Sequence, residues 1–252
     1  MSAFNKLLSE IFKYKRFPYY ASERRLDAII SLFLPEIVKE ALYKDSESVI
    51  QFVMPEFPIS KSNSNQAVCA DYILIEKTQN EINSILLVEL KTDRNSIKPD
   101  QFDAYTQANW ADIVDGLKAK SLATPFNIRN KYFELFLHLA QHNLITLDDT
   151  NTGKLSGLLM LHTMFSDLAY DDDGKVSPLF RKKQREITKY HNEILDEMQV
   201  PAIPIKTIYL GPYTTILQNS NIDKIFFSRL YEDTPTRFPD EWDELINYLK
   251  RL

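Results

Sequence analysis

Two runs decide the fold: Ala70-Asp71-Tyr72-Ile73-Leu74-Ile75 and Ile85-Leu86-Leu87-Val88-Glu89-Leu90-Lys91-Thr92. They belong to the β-rich segments Ala67 to Thr78 and Ser84 to Thr92, and Gln79-Asn80-Glu81 between them has turn character. Both faces of both runs are largely apolar, the pattern of central strands covered on each side, so the pair is predicted to be a hairpin. A turn centred on Asn80 sets opposite one another residues whose numbers sum to 160. Asp71 then faces Glu89, with Cβ atoms about 5 Å apart. Side chains alternate along a strand, so Lys91 lies on the face of Glu89, about 7 Å along the chain. Two carboxylates and one ammonium converge at one end of a buried hairpin.

Such a cluster needs a reason, because adjacent carboxylates repel and desolvation disfavours their charged forms. A divalent cation removes both objections. Mg²⁺ (or Mn²⁺) takes one or two carboxylates plus waters and substrate phosphate oxygens, so Asp71 and Glu89 are the expected metal ligands, with the Leu90 carbonyl as a further oxygen. The ion would polarise a phosphoryl oxygen and acidify a water, while Lys91 holds the nucleophile or neutralises developing charge. The implied reaction is phosphodiester hydrolysis. The structural alternative is that Asp71 caps a strand, Glu89 and Lys91 form an intrastrand ion pair, and nothing is bound.

Outward from the hairpin, Leu26, Ile29, Ile30, Phe33, Leu34, Ile37 and Leu42 recur at helical spacing after Ser22, with Pro35 bending or dividing that helix. Ser48 to Met54 is a first strand that stops at Pro55. Lys98 to about Ser121 is an amphipathic helix and Asn127 to Leu144 a second one. The compact apolar run Leu155 to Phe165 reads as a buried fourth strand. Pro178 to Met198 reads as a charged helix, Ile205 to Leu210 and Ile222 to Phe227 as late strands, and Glu241 to Leu252 as a closing helix.

In this order of elements, Asp71 followed by Glu89-Leu90-Lys91 resembles the PD-(D/E)XK nuclease superfamily, with Ala70 where the name-giving proline would stand. The resemblance implies an α/β fold: a restriction-endonuclease-like core of helix, three-stranded antiparallel meander, helix and fourth strand over residues 1–165. A mixed α/β extension over 166–252 would pack on the same domain. It also implies supporting roles for Gln101 and Tyr105, which match the QxxxY motif of the RecB-like and lambda-exonuclease-like branch. Glu23, at the start of the first long helix, matches an acidic position that completes the metal site in many members. The expected activity is a Mg²⁺-dependent deoxyribonuclease, with RNA as an alternative substrate. Lys183 and Arg185 are the basic residues expected to touch the nucleic-acid backbone. The alternative is a catalytically silent nucleic-acid-binding or assembly module that uses the last third, with its Glu232-Asp233, Asp240-Glu241 and Asp243-Glu244 pairs, to contact a protein partner.

Composition sets the bounds. The 252 residues are 44% hydrophobic and 26% charged, enough for a sizeable core. Five glycines without GxGxxG or GxxxxGK spacing argue against dinucleotide and P-loop sites. A single cysteine, Cys69, excludes an internal disulfide and a Cys-rich zinc site. With no apolar run of membrane-spanning length and no secretion signal, the expected location is cytoplasmic, with no membrane partner. The net charge of −5 excludes a surface that is basic throughout but leaves room for a local basic groove. Lys13 to Arg16, Arg24-Arg25, and Arg181-Lys182-Lys183 with Arg185 are the clusters that could line one.

Overall fold

The computed structural model describes residues 4, 7–8, 26, 28–59, 68–92, 97, 102, 105–125, 129–166, 178–214, 221–230 and 239–250, of which 68, 161–166 and 178–180 are described in backbone alone. The described elements are α1 (Leu34–Leu42), β1 (Val49–Ile59), β2 (Val68–Thr78), β3 (Glu81–Leu90), α2 (Trp110–Ala123), α3 (Asn130–Gln141), α4 (Asp149–Ser166), α5 (Pro178–Glu197), β4 (Ile205–Gly211), β5 (Ile222–Phe226), a 3-10 turn (Phe227–Arg229) and α6 (Pro239–Leu249). The five strands form one mixed sheet in the order β1-β2-β3-β4-β5; β2 and β3 are antiparallel, while β3, β4 and β5 run parallel. The chain divides into two compact units. One comprises Met1–Pro58, Val68–Asn109 and Ile203–Leu252; the other comprises Ile59–Ala67 and Trp110–Ala202.

In the first unit both faces of β2 and β3 are buried, and the even-numbered residues of β2, β3 and β4 line one core. Tyr72, Leu74, Leu86, Val88, Leu90, Ile208 and Leu210 pack with Ile30, Phe33, Leu34, Ile37 and Val38 and with Trp242, Leu245, Ile246 and Leu249 of α6. Each such side chain contributes about 1.5–3 kcal/mol of burial free energy. Pro35 divides the first helical stretch: Leu32 and Phe33 close tight turns onto Ile29 and Ile30, and α1 then starts afresh with the proline in its first turn, where a missing N–H costs nothing.

Several expectations are corrected. The first strand does not stop at Pro55 but continues to Ile59. It is an edge strand, where proline's missing donor is tolerated, and Glu56 takes a left-handed φ of 47° within it. The helix expected from Lys98 to Ser121 is interrupted. Tyr105 and Thr106 are helical, residues 107–109 are not, and α2 begins at Trp110.

The largest correction concerns Leu155 to Phe165, which lies in the helix α4 and not in a strand. The Asp148 carboxylate accepts the Asn151 N–H at 2.6 Å, an N-cap that starts the helix before the apolar run. The sheet position beside β3 is filled by β4, from Ile205–Gly211, which pairs parallel to it from Ile85↔Ile205 to Leu90↔Leu210.

The second unit contains α2 to α5. Trp110 of α2 donates its indole N–H to the Leu144 carbonyl at 2.7 Å, and a single antiparallel bridge joins Thr146 to Gln199. Inside the unit His191 of α5 is fully buried, stacks edge-on against Phe133 and faces Ser121 at 3.4 Å. Burial, and secondarily the Arg129 charge, lower its pKa to about 4, so the ring is neutral at physiological pH.

Candidate active site

The hairpin supplies the frame. Gln79 and Asn80 carry φ of 52° and 71°, the two positive values that a two-residue type I′ turn demands. Next to that turn the paired numbers sum to 159, as in Thr78↔Glu81 and Lys77↔Ile82. A register shift between Glu76 and Lys77 raises the sum to 160, which holds from Glu76↔Ser84 to Tyr72↔Val88. The expected register is thus present along the body of the hairpin, although the turn is centred half a residue earlier and a bulge restores it.

Beyond Tyr72↔Val88 the β2–β3 ladder ends, and the next step of the same register sets Asp71 against Glu89. Here a side chain takes over from the backbone: the Leu90 N–H donates to Asp71 Oδ2 at 2.7 Å. A residue's N–H and C=O leave a strand on the same side, so the Leu90 carbonyl is also turned toward β2 and Asp71. On its other side β3 stays paired, Lys91 N–H donating to the Leu210 carbonyl at 2.9 Å.

Asp71, Glu89 and Lys91 are odd-numbered and project from the face opposite the core formed by Tyr72, Val88 and Leu90. Glu89 is 1% exposed, and each of its oxygens has a donor: Lys91 Nζ at 2.5 Å to Oε1 and the Tyr105 hydroxyl at 2.9 Å to Oε2. The Tyr105 hydroxyl also lies 2.8 Å from the Cys69 carbonyl. A single phenol therefore spans from β3 to the β2 segment two residues before Asp71. Tyr105 is itself fully buried, its ring edge-on to Phe102, which in turn packs on Tyr209 of β4.

Gly211 ends β4 at this corner. A Cβ there would lie 2.6 Å from the Lys91 carbonyl and 2.6 Å from the Tyr209 hydroxyl, so only glycine lets the strand pass beside the Lys91 backbone. Nothing in the hairpin itself points to Gly211 or Tyr209, because the neighbour of β3 is the late strand Ile205–Gly211 and not the expected fourth strand Leu155 to Phe165. The signal that could have found them is the late run Ile205 to Leu210, closed by a glycine in a chain with few of them.

The structure brings together Asp71, Glu89, Leu90, Lys91 and Tyr105. Glu23 and Gln101 lie outside the described residues, as do Lys13 to Arg16 and Arg24-Arg25. Lys183 and Arg185 both sit on α5, but positions two apart project about 160° from each other around a helix. Lys183 pairs with Glu186 at 2.8 Å, whereas Arg185 is exposed.

Oxygen donors of this kind suit a hard cation such as Mg²⁺. A carboxylate has about four acceptor sites, and Lys91 and Tyr105 each take one of those of Glu89, on different oxygens. Among the described residues no group of three His, Cys, Asp or Glu side chains gathers, so Asp71 and Glu89 are the acidic ligands available there.

A second ionisable cluster lies at the turn end of the hairpin, on the core face. Glu76 accepts from Ser48 at 2.9 Å, Ser84 at 2.6 Å and Lys206 at 2.8 Å, and Lys206 also reaches the Tyr43 hydroxyl at 3.0 Å. Desolvation pushes the Glu76 pKa upward, but the bonds from Lys206, Ser84 and Ser48 outweigh it and hold the carboxyl at about 2. Glu76 and Tyr43 raise the Lys206 pKa against its own desolvation. Glu76 has a hydrogen-bond donor on each oxygen, and the cluster serves as a polar lock joining β2, β3 and β4 to Ser48, the residue that precedes β1.

No helix among the described residues is long and apolar enough to cross a membrane. Comparison of the chain with protein-family models, with curated proteins and with solved structures returned no match.

Proposed function

We propose that the protein is a Mg²⁺-dependent phosphodiesterase acting on nucleic acid, DNA in the first instance, built on a restriction-endonuclease-like core of the PD-(D/E)XK kind. The observation that carries this reading is the hairpin register, which sets Asp71 and Glu89 at adjacent positions on one face with Lys91 bound to Glu89. Asp71, Glu89 and the Leu90 carbonyl are the oxygens that would hold the ion. When bound, it supplies a polarised phosphoryl oxygen and an acidified water. The chain's own contributions are distinct. Tyr105 orients the Glu89 carboxylate, and Lys91 supplies an ammonium that orients the attacking water and balances charge developing on the phosphoryl group.

A parallel strand beside β3, bonded through Lys91 N–H and Leu210, keeps the Lys91 backbone fixed where the β2–β3 backbone ladder has ended.

One observation favours a second reading. The contacts made by Asp71 with Leu90 N–H and by Glu89 with Lys91 are also those of a strand cap and an ion pair that bind nothing. On that reading the chain is a nucleic-acid-binding or assembly module without catalysis, with its last third available to a protein partner.

The test is cleavage of linear, circular and single-stranded DNA and of matched RNA oligonucleotides with Mg²⁺ or Mn²⁺. Asp71→Asn, Glu89→Gln and Lys91→Ala are each expected to lower the rate by about 100-fold or more. Full cleavage by Lys91→Ala would remove the mechanism. Binding that survives both EDTA and Glu89→Gln, with no cleavage under any condition, would establish the second reading instead.

A further inference from the structure

One face of α5 carries a row of cations that the hydrolytic site does not use. A groove of about 550 Å³ is lined by Arg181, Gln184, Arg185, Thr188, Lys189 and Asn192, with no carboxylate and no large apolar side chain among them. At about 100° per residue these positions fall on one side of the helix, and Arg181 to Lys189 covers about 12 Å of its axis. Arg181 and Arg185 are exposed and have no ion pair among the described residues. Lys189 has only a loose pair with Glu193 at 3.8 Å, between side chains 77% and 46% exposed. Arg181 stands in the first turn of the helix, the end at which the macrodipole disfavours a cation and no acidic residue offsets it.

A solvated cationic face is ordinary; the group behind this one is not. Arg129 is 8% exposed, and its guanidinium donates to the Leu122 and Thr124 carbonyls and, at 3.1 Å, to the hydroxyl of Thr188. Its Nε has no acceptor, and no carboxylate faces it among the described residues. A buried cation without a counter-charge is costly. Because Thr188 accepts from Arg129, its own hydroxyl hydrogen is the donor left for the groove. The groove thus combines exposed guanidinium and ammonium groups with a hydroxyl held from behind by a buried charge.

We propose that this face of α5 binds the phosphodiester backbone of nucleic acid, Arg181, Arg185 and Lys189 contacting successive phosphates and Thr188 donating to a phosphate oxygen. The inference rests on the nucleic-acid reading above and names its binding surface. A row of three cations suits a linear polyanion better than a single phosphate group. A membrane surface would in addition want apolar side chains beside the cations, and none lines the groove among the described residues.

The experiment measures binding of a fluorescent duplex and of its single strand by anisotropy in EDTA, between 50 and 200 mM salt. Loss of three phosphate contacts is expected to reduce the slope of log K against log salt by about 2.7 on duplex. The wild type should therefore lose about 40-fold more affinity over that range than the triple variant Arg181→Ala/Arg185→Ala/Lys189→Ala. Arg185→Glu alone should lower the slope by about 0.9 or more. An unchanged slope in the folded triple variant overturns the proposal, even if Asp71 and Glu89 prove essential for cleavage. Groove-dependent binding by a protein that cleaves nothing supports the surface and refutes the hydrolytic reading. Binding to phosphatidylserine vesicles but to neither oligonucleotide overturns the nucleic-acid assignment.

Discussion

The pair Glu89 and Lys91 offers the sharpest separation of a site kept for chemistry from one kept for stability. Their charged atoms are 2.5 Å apart, with side chains 1% and 8% exposed, so both ions have left water. Taking two charges out of water costs several kcal/mol each, and the attraction between them does little more than offset it. Removing only the ammonium, as in Lys91→Met, leaves a buried carboxylate whose Oε1 has lost the Lys91 charge and should cost about 3–5 kcal/mol. Removing both, as in Glu89→Leu with Lys91→Met, should be neutral or stabilise by about 1–4 kcal/mol, while eliminating cleavage. With an m-value of about 3 kcal/mol/M in urea, the single variant shifts the midpoint down by more than about 1 M and the double variant shifts it up or not at all. The assay can be confined to the right unit, because Trp242 is buried against Phe33 in the first unit and Trp110 belongs to the second. In a Trp110→Phe background the emission of Trp242 follows unfolding around the sheet alone. A double variant markedly less stable than the parent would refute the reasoning, since the ion pair would then be holding the fold together and would need no chemical justification.

Two other outcomes follow from the same geometry. Gly211→Ala places a methyl 2.6 Å from the Lys91 carbonyl, a backbone atom that cannot swing away, and should cost about 1–3 kcal/mol together with a loss of cleavage; a change below about 0.5 kcal/mol in urea unfolding would contradict the packing of that corner. Glu76 is held near pKa 2 against an ordinary 4.5, so its contribution is complete above pH 4.5 and disappears as the pH falls from 4.5 through 2. That window is worth about 3 kcal/mol, so the stability difference between wild type and Glu76→Gln should shrink by about that amount from pH 5.5 to pH 2, and parallel curves would show that Glu76 is not held ionised by Lys206.

Much of the fold was legible because short-range signals and burial agreed. The recurrence of Leu26, Ile29, Ile30, Phe33, Leu34 and Ile37 marks a helix face that is in fact buried, and Pro35 divides the stretch where its missing donor matters least. Pro55 misled because proline ends a central strand but not an edge strand, and which strand lies at the edge is a tertiary fact. Leu155 to Phe165 misled for a different reason. An apolar run has no period of its own, and only the cap at Asp148 and the 18-residue length of α4 distinguish helix from strand. With that run taken as the fourth strand of the core, Ile205 to Leu210 falls to the C-terminal extension, and Tyr209 and Gly211 fall outside the site.

The site survived that error because its geometry depends on parity more than on neighbours. A slip of one residue in a hairpin turns every side chain of one strand to the other face, so Asp71 and Glu89 meet on one side only if the register sum has the right parity. The turn at Gln79 and Asn80 alone would give 159 and separate them. The bulge beside Glu76 adds the missing residue, and it lies where Glu76 is clamped by Ser84, Ser48 and Lys206. The polar lock on the core face at one end of the hairpin therefore stands at the step that sets the facing of the two acids at the other end. Neither Glu76 nor Lys206 announces this in the sequence, since a glutamate in an apolar strand and a lysine 130 positions later have no visible reason to meet. A hairpin that lost the bulge would keep its apolar faces nearly intact, because both are apolar, and would lose the convergence of Asp71 with Glu89. The polar lock at Glu76 thus protects a register that hydrophobic burial by itself would leave weakly specified.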